Sequence, residues 1–141
     1  MQGNNFSGKI PQTFLKGYNL KTLDLSHNQI RGNAPQFLIN CRALEVLNPG
    51  CNQLSDTFPF WLQNLSELQV LVLRSNKFCG PIWQPRKFFG FVKLRIVDLS
   101  FNNFIGALPS EYFRNWSAIN KKVLNASESR LTYMKDVSGY Y

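Results

Sequence analysis

The chain has 141 residues, with 16 Lys and Arg against 8 Asp and Glu, a formal charge of +8. That length admits one ordinary domain, and it contains no run of about 18 apolar residues that could span a bilayer. The charge favours anionic partners, but no nucleic-acid recognition motif accompanies it, so the sequence argues against nucleic acid as a partner.

In chain order, one string recurs: LKTLDLSHNQ from Leu20, LEVLNPGCNQ from Leu44, LQVLVLRSNK from Leu68 and LRIVDLSFNN from Leu94. The asparagines that close these strings, together with the earlier Asn4, are Asn28, Asn52, Asn76 and Asn102, spaced 24 residues apart three times and then 26. A fixed period of this size marks a repeat architecture. Each string predicts a short strand, near 20–25, 44–48, 68–73 and 94–99. Side chains alternate along a strand, so Leu23 and Leu25 point into a core while Thr22 and Asp24 face solvent, and Leu20 packs at the strand's start. The asparagine then turns the chain. Its short carboxamide can satisfy the backbone of the turn and pair with the next coil, which predicts an asparagine ladder. Beyond it, Gly32, Gly80 and Gly106 allow backbone angles closed to other residues. Pro11, Pro35, Pro59 and Pro109 fix φ where the chain returns along the convex side.

Two units depart from the template. Pro49 replaces the third strand leucine and removes a backbone donor from an interior strand, so that strand is expected to be shortened or bulged, with Gly50 absorbing the distortion. In GPIWQPRKFFGFVKL the expected Ile-Pro is Ile82-Trp83 and the unit is two residues longer, an insertion expected to bulge on the convex side.

With NNFSGKIP, NQIRGNAP and NNFIGALP, these units resemble the plant extracellular class of leucine-rich repeat, LxxLxLxxNxLxGxIP. The resemblance implies an α/β-type repeat: a curved right-handed solenoid with a short parallel sheet on the concave face and an irregular or 3-10 convex side. DTFPFWLQNLSELQVLVLRSNKFCGPI followed by LRIVDLSFNNFIGALPSEYFRNW looks like the membrane-proximal repeats of plant receptor-like proteins, single-pass receptors without a kinase. In that family a non-repeat island interrupts the solenoid, and Trp116, Tyr133-Met134 and Tyr140-Tyr141 match its approach and interior in order. The reading is therefore repeats over 1–116 and the start of an island over 117–141. The resemblance also implies a plasma-membrane receptor facing outward, a protein or peptide ligand from a pathogen or the wall, defence signalling through a partner receptor kinase, and a membrane link only through a segment this chain lacks. The alternatives are a secreted inhibitor of wall-degrading enzymes and a truncated, non-signalling gene copy. The start in mid-coil at Asn4 and the lack of an apolar leader after Met1 read as a fragment, expected to associate or to be marginally folded alone. Tyr112, Phe113 and Trp116, with Leu108, are expected to cap the last coil over 110–116, and 120–141 to be loosely held.

Candidate binding residues follow from the register. Outward strand positions one coil apart form columns: Asp24, Asn48, Val72 and Asp98; Ser26, Gly50, Arg74 and Ser100; His27, Cys51, Ser75 and Phe101. A partner lying across the strands would touch them in register. Asp24, Ser26 and His27 have the residue types of a hydrolase triad, but Asp24 and Ser26 stand side by side on one face, with neither placed to orient the imidazole. The varied repeat string is the simpler reading, and no enzyme is expected. Three cysteines lack zinc-ligand spacing; Cys41 is expected to be a buried thiol, and Cys51 and Cys79 to lie on different surfaces. No metal or cofactor is expected. Asn5, Asn64, Asn115 and Asn125 begin N-x-S sequons, which favour the secretory pathway. Arg74, Lys77, Arg86, Lys87, Lys93 and Arg95 form an acid-free run that could face an acidic polysaccharide or protein, or be a solvated face.

Overall fold

The repeat reduces to a few backbone pairings per coil, seen in a computed structural model that describes residues 3–11, 19–82 and 91–106. The first set of pairings joins β2 (Thr22–Asp24), β4 (Val46–Asn48), β6 (Val70–Val72) and β8 (Ile96–Asp98), all parallel and in that order. Each strand is shorter than the expected span. The ladder nevertheless continues a residue further in places: Leu25 N–H donates to Asn48 O and Leu73 N–H to Asp98 O, both at 2.8 Å. Leu23, Leu25, Leu44, Leu47, Leu68, Leu71, Leu73, Leu94 and Leu99 are buried in one core. This is a leucine-rich-repeat solenoid.

The ladder of asparagines is present and is shared between coils. Asn52 Nδ2 donates to Leu25 O at 2.9 Å in the previous coil and to Pro49 O at 3.0 Å and Gly50 O at 3.1 Å in its own, while its Oδ1 accepts from Ile30 N–H at 3.0 Å. Asn76 donates to Pro49 O at 3.0 Å and Leu73 O at 3.1 Å, and Asn102 to Leu73 O at 2.9 Å and Leu99 O at 3.1 Å. Successive asparagines therefore meet on one carbonyl, and every coil is bonded to the one before it.

Pro49 acts differently from the expectation. Strand β4 keeps its three residues, Gly50 does not adopt a positive φ, and Pro49 itself is buried. The loss falls on the ladder. β4 pairs with β6 at two positions, Val46↔Val70 and Leu47↔Leu71, where β2–β4 and β6–β8 have three. Without an N–H, proline cannot make the bond that Leu25 and Leu73 make. An apolar cavity of about 10 Å³ lies against its ring, lined also by Leu25, Leu47, Leu54, Leu73 and Phe78.

After each asparagine a second short strand runs beside its neighbours: β1 (Ser7–Gly8), β3 (Gln29–Gly32) and β5 (Gln53–Leu54) form one parallel sheet, and β7 (Cys79–Pro81) and β9 (Asn103–Ile105) another. Gly8 and Gly32 end β1 and β3, Gly80 lies within β7 and Gly106 follows β9, at φ of 89°, 93°, 81° and 86°, a region that L side chains rarely enter. Asp56 occupies the equivalent place in the middle coil, and there the sheet is interrupted. Its carboxylate instead accepts from Ala34 N–H at 3.1 Å and Thr57 N–H at 2.8 Å. On the convex side, 3-10 turns at Gln36–Asn40 and Phe60–Asn64 follow Pro35 and Pro59 and bury Leu38 and Leu62. The sites expected at Trp83 and Pro109, the cap and the island all lie outside the described residues.

Candidate functional site

The outward positions of β2, β4, β6 and β8 are brought into the expected register, with Asp24 beside Asn48 and Val72 beside Asp98. The side chains at these positions do different jobs. Asp24 Oδ1 accepts from Ser26 N–H at 2.9 Å and from its hydroxyl at 2.6 Å. Asp98 Oδ1 accepts from Ser100 N–H at 3.0 Å and its hydroxyl at 2.5 Å, and Asn48 Oδ1 accepts from Gly50 N–H at 3.1 Å. These are side-chain-closed turns that fix how each strand ends. Ser26, expected on the exposed column, is in fact only 3% exposed, because the turn folds its hydroxyl onto Asp24. Its proton is committed to that carboxylate, while His27 points outward and exposed. Burial by itself would raise the Asp24 carboxyl, but the hydrogen bonds from Ser26 and Asn48 outweigh it and hold the group below the usual carboxylate range.

The third column has one backbone state. His27, Cys51, Ser75 and Phe101 have φ of 57°, 55°, 54° and 55°, the left-handed region, which costs a residue with a side chain about 1–2 kcal/mol. The following asparagine's bonds hold the turn there, so the state belongs to the repeat and the side chain is free to vary. At the last of these positions stands Phe101, 57% exposed. The Arg74 guanidinium lies over its ring at 4.9 Å from the centroid, and Arg74 Nη1 is 3.7 Å from Asp98 Oδ2. Both contacts are at the surface, each worth about 1 kcal/mol or less. Their effect is to fix a cation, an aromatic ring and a carboxylate side by side at the end of β6 and β8.

A fourth column was not singled out in the sequence. Thr22, Val46, Val70 and Ile96 are paired across β2, β4, β6 and β8 and share the outward face with the aspartate column by strand alternation. Three of the four are aliphatic, and Ile96 is 56% exposed. Applying the one-coil register to the residue two places earlier would have found it. The face thus carries an aliphatic row, a polar row beside it and the Arg74–Phe101–Asp98 group at one end.

The basic run is split by the fold. Lys93 Nζ is 2.9 Å from Glu67 Oε2, Arg74 is beside Asp98, and Lys77 and Arg95 are exposed without an acidic partner among the described residues. Arg86 and Lys87 lie outside the described residues. Cys41 is buried, which pushes its thiol up, while Cys51 is half-buried after β4 and Cys79 is exposed on β7. Among the described residues no three His, Cys, Asp or Glu side chains gather as metal ligands, and no helix is long and apolar enough to cross a membrane. Asn5 and Asn64 are exposed; Asn115 and Asn125 are outside the described residues.

Comparison with known proteins agrees with this architecture. Family models described as leucine rich repeat match residues 42–104, and 19–41 with 93–116. The chain is 46% identical to receptor-like protein 43 of Arabidopsis thaliana over all 141 residues, and it spans 19% of that protein's length. Among solved structures it is similar to the plant peptide hormone receptor RGFR1 in complex with RGF2, at 26% identity and TM-score 0.68, over 83% of this chain and 22% of that one. It is also similar to the BIR3–SERK2 complex of Arabidopsis thaliana, at 31% identity and TM-score 0.60, over 75% of this chain and 55% of the other. With the coil period, the asparagine ladder and the likeness over all 141 residues together, the chain belongs to the leucine-rich-repeat family, among the plant receptor-like proteins.

Proposed function

We propose that the chain is part of the ligand-recognition surface of a plant cell-surface receptor that signals in defence through a partner receptor kinase. Its concave sheet takes an extended peptide or protein segment lying across the strands. The observation that carries this reading is the aliphatic row Val46, Val70 and Ile96 beside the exposed Phe101 and Arg74 on one sheet face. Strands about 4.8 Å apart present such a row at a repeat that an extended segment can follow, and an exposed aromatic beside Arg has the character of interface anchors. The solved RGFR1–RGF2 and BIR3–SERK2 complexes support this reading, the first by a peptide hormone receptor bound to RGF2 and the second by a complex of two proteins.

The test is a double substitution, Ile96→Asp with Phe101→Ala, in the receptor as plant cells display it. It is scored for surface accumulation and for the defence response to pathogen and wall peptide fractions. Loss of response at wild-type surface level is expected; an unchanged response removes the concave face as the ligand site.

A further inference from the structure

The convex return path carries a group that concave binding leaves unused. Asn64 is the last residue of the 3-10 turn Phe60–Asn64 and begins Asn64-Leu65-Ser66, a sequon without proline at its middle position. Leu65 is buried and anchors the turn: its N–H donates to Leu62 O at 3.0 Å, and its carbonyl accepts from Leu68 N–H at 3.1 Å. Asn64 and Ser66, on either side of that anchor, are exposed, and the Asn64 carboxamide has no hydrogen-bond partner among the described residues. The preceding coil supplies an internal comparison. Asn40 ends the matching turn Gln36–Asn40 and is equally exposed, followed by the buried Cys41, but Arg42 stands where Ser66 does. The two turns present the same asparagine on the same scaffold and differ in the residue that makes a sequon.

We propose that Asn64 carries an N-linked glycan. The reaction joins the Asn64 amide nitrogen to the anomeric carbon of the first sugar of a lipid-diphosphate-linked oligosaccharide. The lipid diphosphate departs with the electrons of the broken sugar–oxygen bond, and the amide gives up one proton. The inference rests on the cell-surface reading, because that donor is met in the secretory pathway. An exposed carboxamide that makes no hydrogen bond among the described residues breaks none of those bonds when the sugar is attached, and the glycan leaves the fold on the side of the 3-10 turns, with the leucine core between it and the columns of the concave sheet. The glycan would shield the convex turn of this coil from partners and leave the Val46–Val70–Ile96 row open.

The chain is expressed in plant cells behind a cleavable secretion leader, as wild type, Asn64→Gln and Arg42→Ser. The peptides containing Asn40 and Asn64 are then read by mass spectrometry before and after treatment with a peptide-N-glycosidase. The leader supplies the route, so the result judges the site and not the cell-surface reading. Expected are a glycosylated Asn64 peptide in the wild type, loss of that glycan alone in Asn64→Gln, and a new glycan on Asn40 in Arg42→Ser. An unmodified Asn64 peptide in chains whose leader has been cleaved overturns the proposal, most sharply where Asn40 is glycosylated in the Arg42→Ser chain.

Discussion

Replacing Asn52 with alanine tests the shared ladder at a buried position with a bonded coil on each side. Asn52 is 9% exposed, and its carboxamide makes four hydrogen bonds, three as donor and one as acceptor. The losses are unequal. Leu25 O keeps a donor in Asn28, at 2.8 Å, and Pro49 O keeps one in Asn76, at 3.0 Å, so neither carbonyl is orphaned. The Ile30 N–H, on a residue only 4% exposed, has no second acceptor among the described residues. An orphaned buried donor costs about 1–3 kcal/mol, and each shared bond adds about 0.5–1.5 kcal/mol, which places Asn52→Ala at about 3–5 kcal/mol. The same change at the half-buried Asn76 is expected to cost less, since water can reach what it leaves. Asn52→Asp separates the donor role from the acceptor role: the carboxylate can still accept from Ile30 but faces three carbonyl oxygens. Its folded-state affinity for a proton is therefore raised, and the variant's stability is best at low pH and falls as pH rises through that raised value. Urea unfolding of these coils within an end-capped repeat array, followed by far-ultraviolet circular dichroism at pH 4 and pH 7, reads both effects. A loss below about 1 kcal/mol for Asn52→Ala, or an Asn52→Asp variant whose deficit shrinks with rising pH, would refute the ladder as the bond between coils.

Pro49→Leu is expected to stabilise the chain by about 1 kcal/mol, the restored strand hydrogen bond and the filled space outweighing the greater freedom of the unfolded leucine; a lower urea midpoint would count against it. Asp24 gives stability above the usual carboxylate range that is lost as pH falls through its depressed folded value, so Asp24→Asn should flatten the acid limb of a stability–pH curve, and an unchanged limb would show the turn contributes nothing there. Phe101→Gly keeps the left-handed turn and removes the ring, so stability should hold or rise slightly while the ligand response falls; a parallel loss of both would make Phe101 structural. Lys93→Ala should change the unfolding free energy by less than about 1 kcal/mol, since its pair with Glu67 is half in solvent.

The coils, the core and the ladder were legible because a single side chain makes each feature: leucine fills the core and an asparagine carboxamide makes the bonds that join coils. The second sheets were not, since pairs such as Ser7↔Gln29 and Arg31↔Gln53 carry no apolar alternation for a reader to find. Nor was the left-handed state of His27, Cys51, Ser75 and Phe101, four residues with no shared preference for it. There the repeat dictates the backbone and the residue follows. The candidate site was half legible. Asp98, Arg74 and Phe101 stand in adjacent columns of the sequence register and do meet, whereas the aliphatic row has no repeat consensus to mark it and the Ser26 hydroxyl is folded in onto Asp24. The acid beside Lys93 is Glu67, one coil back, which an acid-free stretch of sequence does not reveal because chain neighbours are not spatial ones.

The step from Asn76 to Asn102 is two residues longer than the others, yet Val70↔Ile96, Leu71↔Val97 and Val72↔Asp98 pair in full, and Phe78 N–H reaches Asn102 Oδ1 at 3.1 Å as in the shorter coils. The two extra residues leave the strands that follow in phase. A lineage built from such units can vary in two separable ways. Substitution at outward strand positions changes the chemistry of the exposed face, while a change of unit length leaves the register of the strands intact. Neither forces the other to be redesigned.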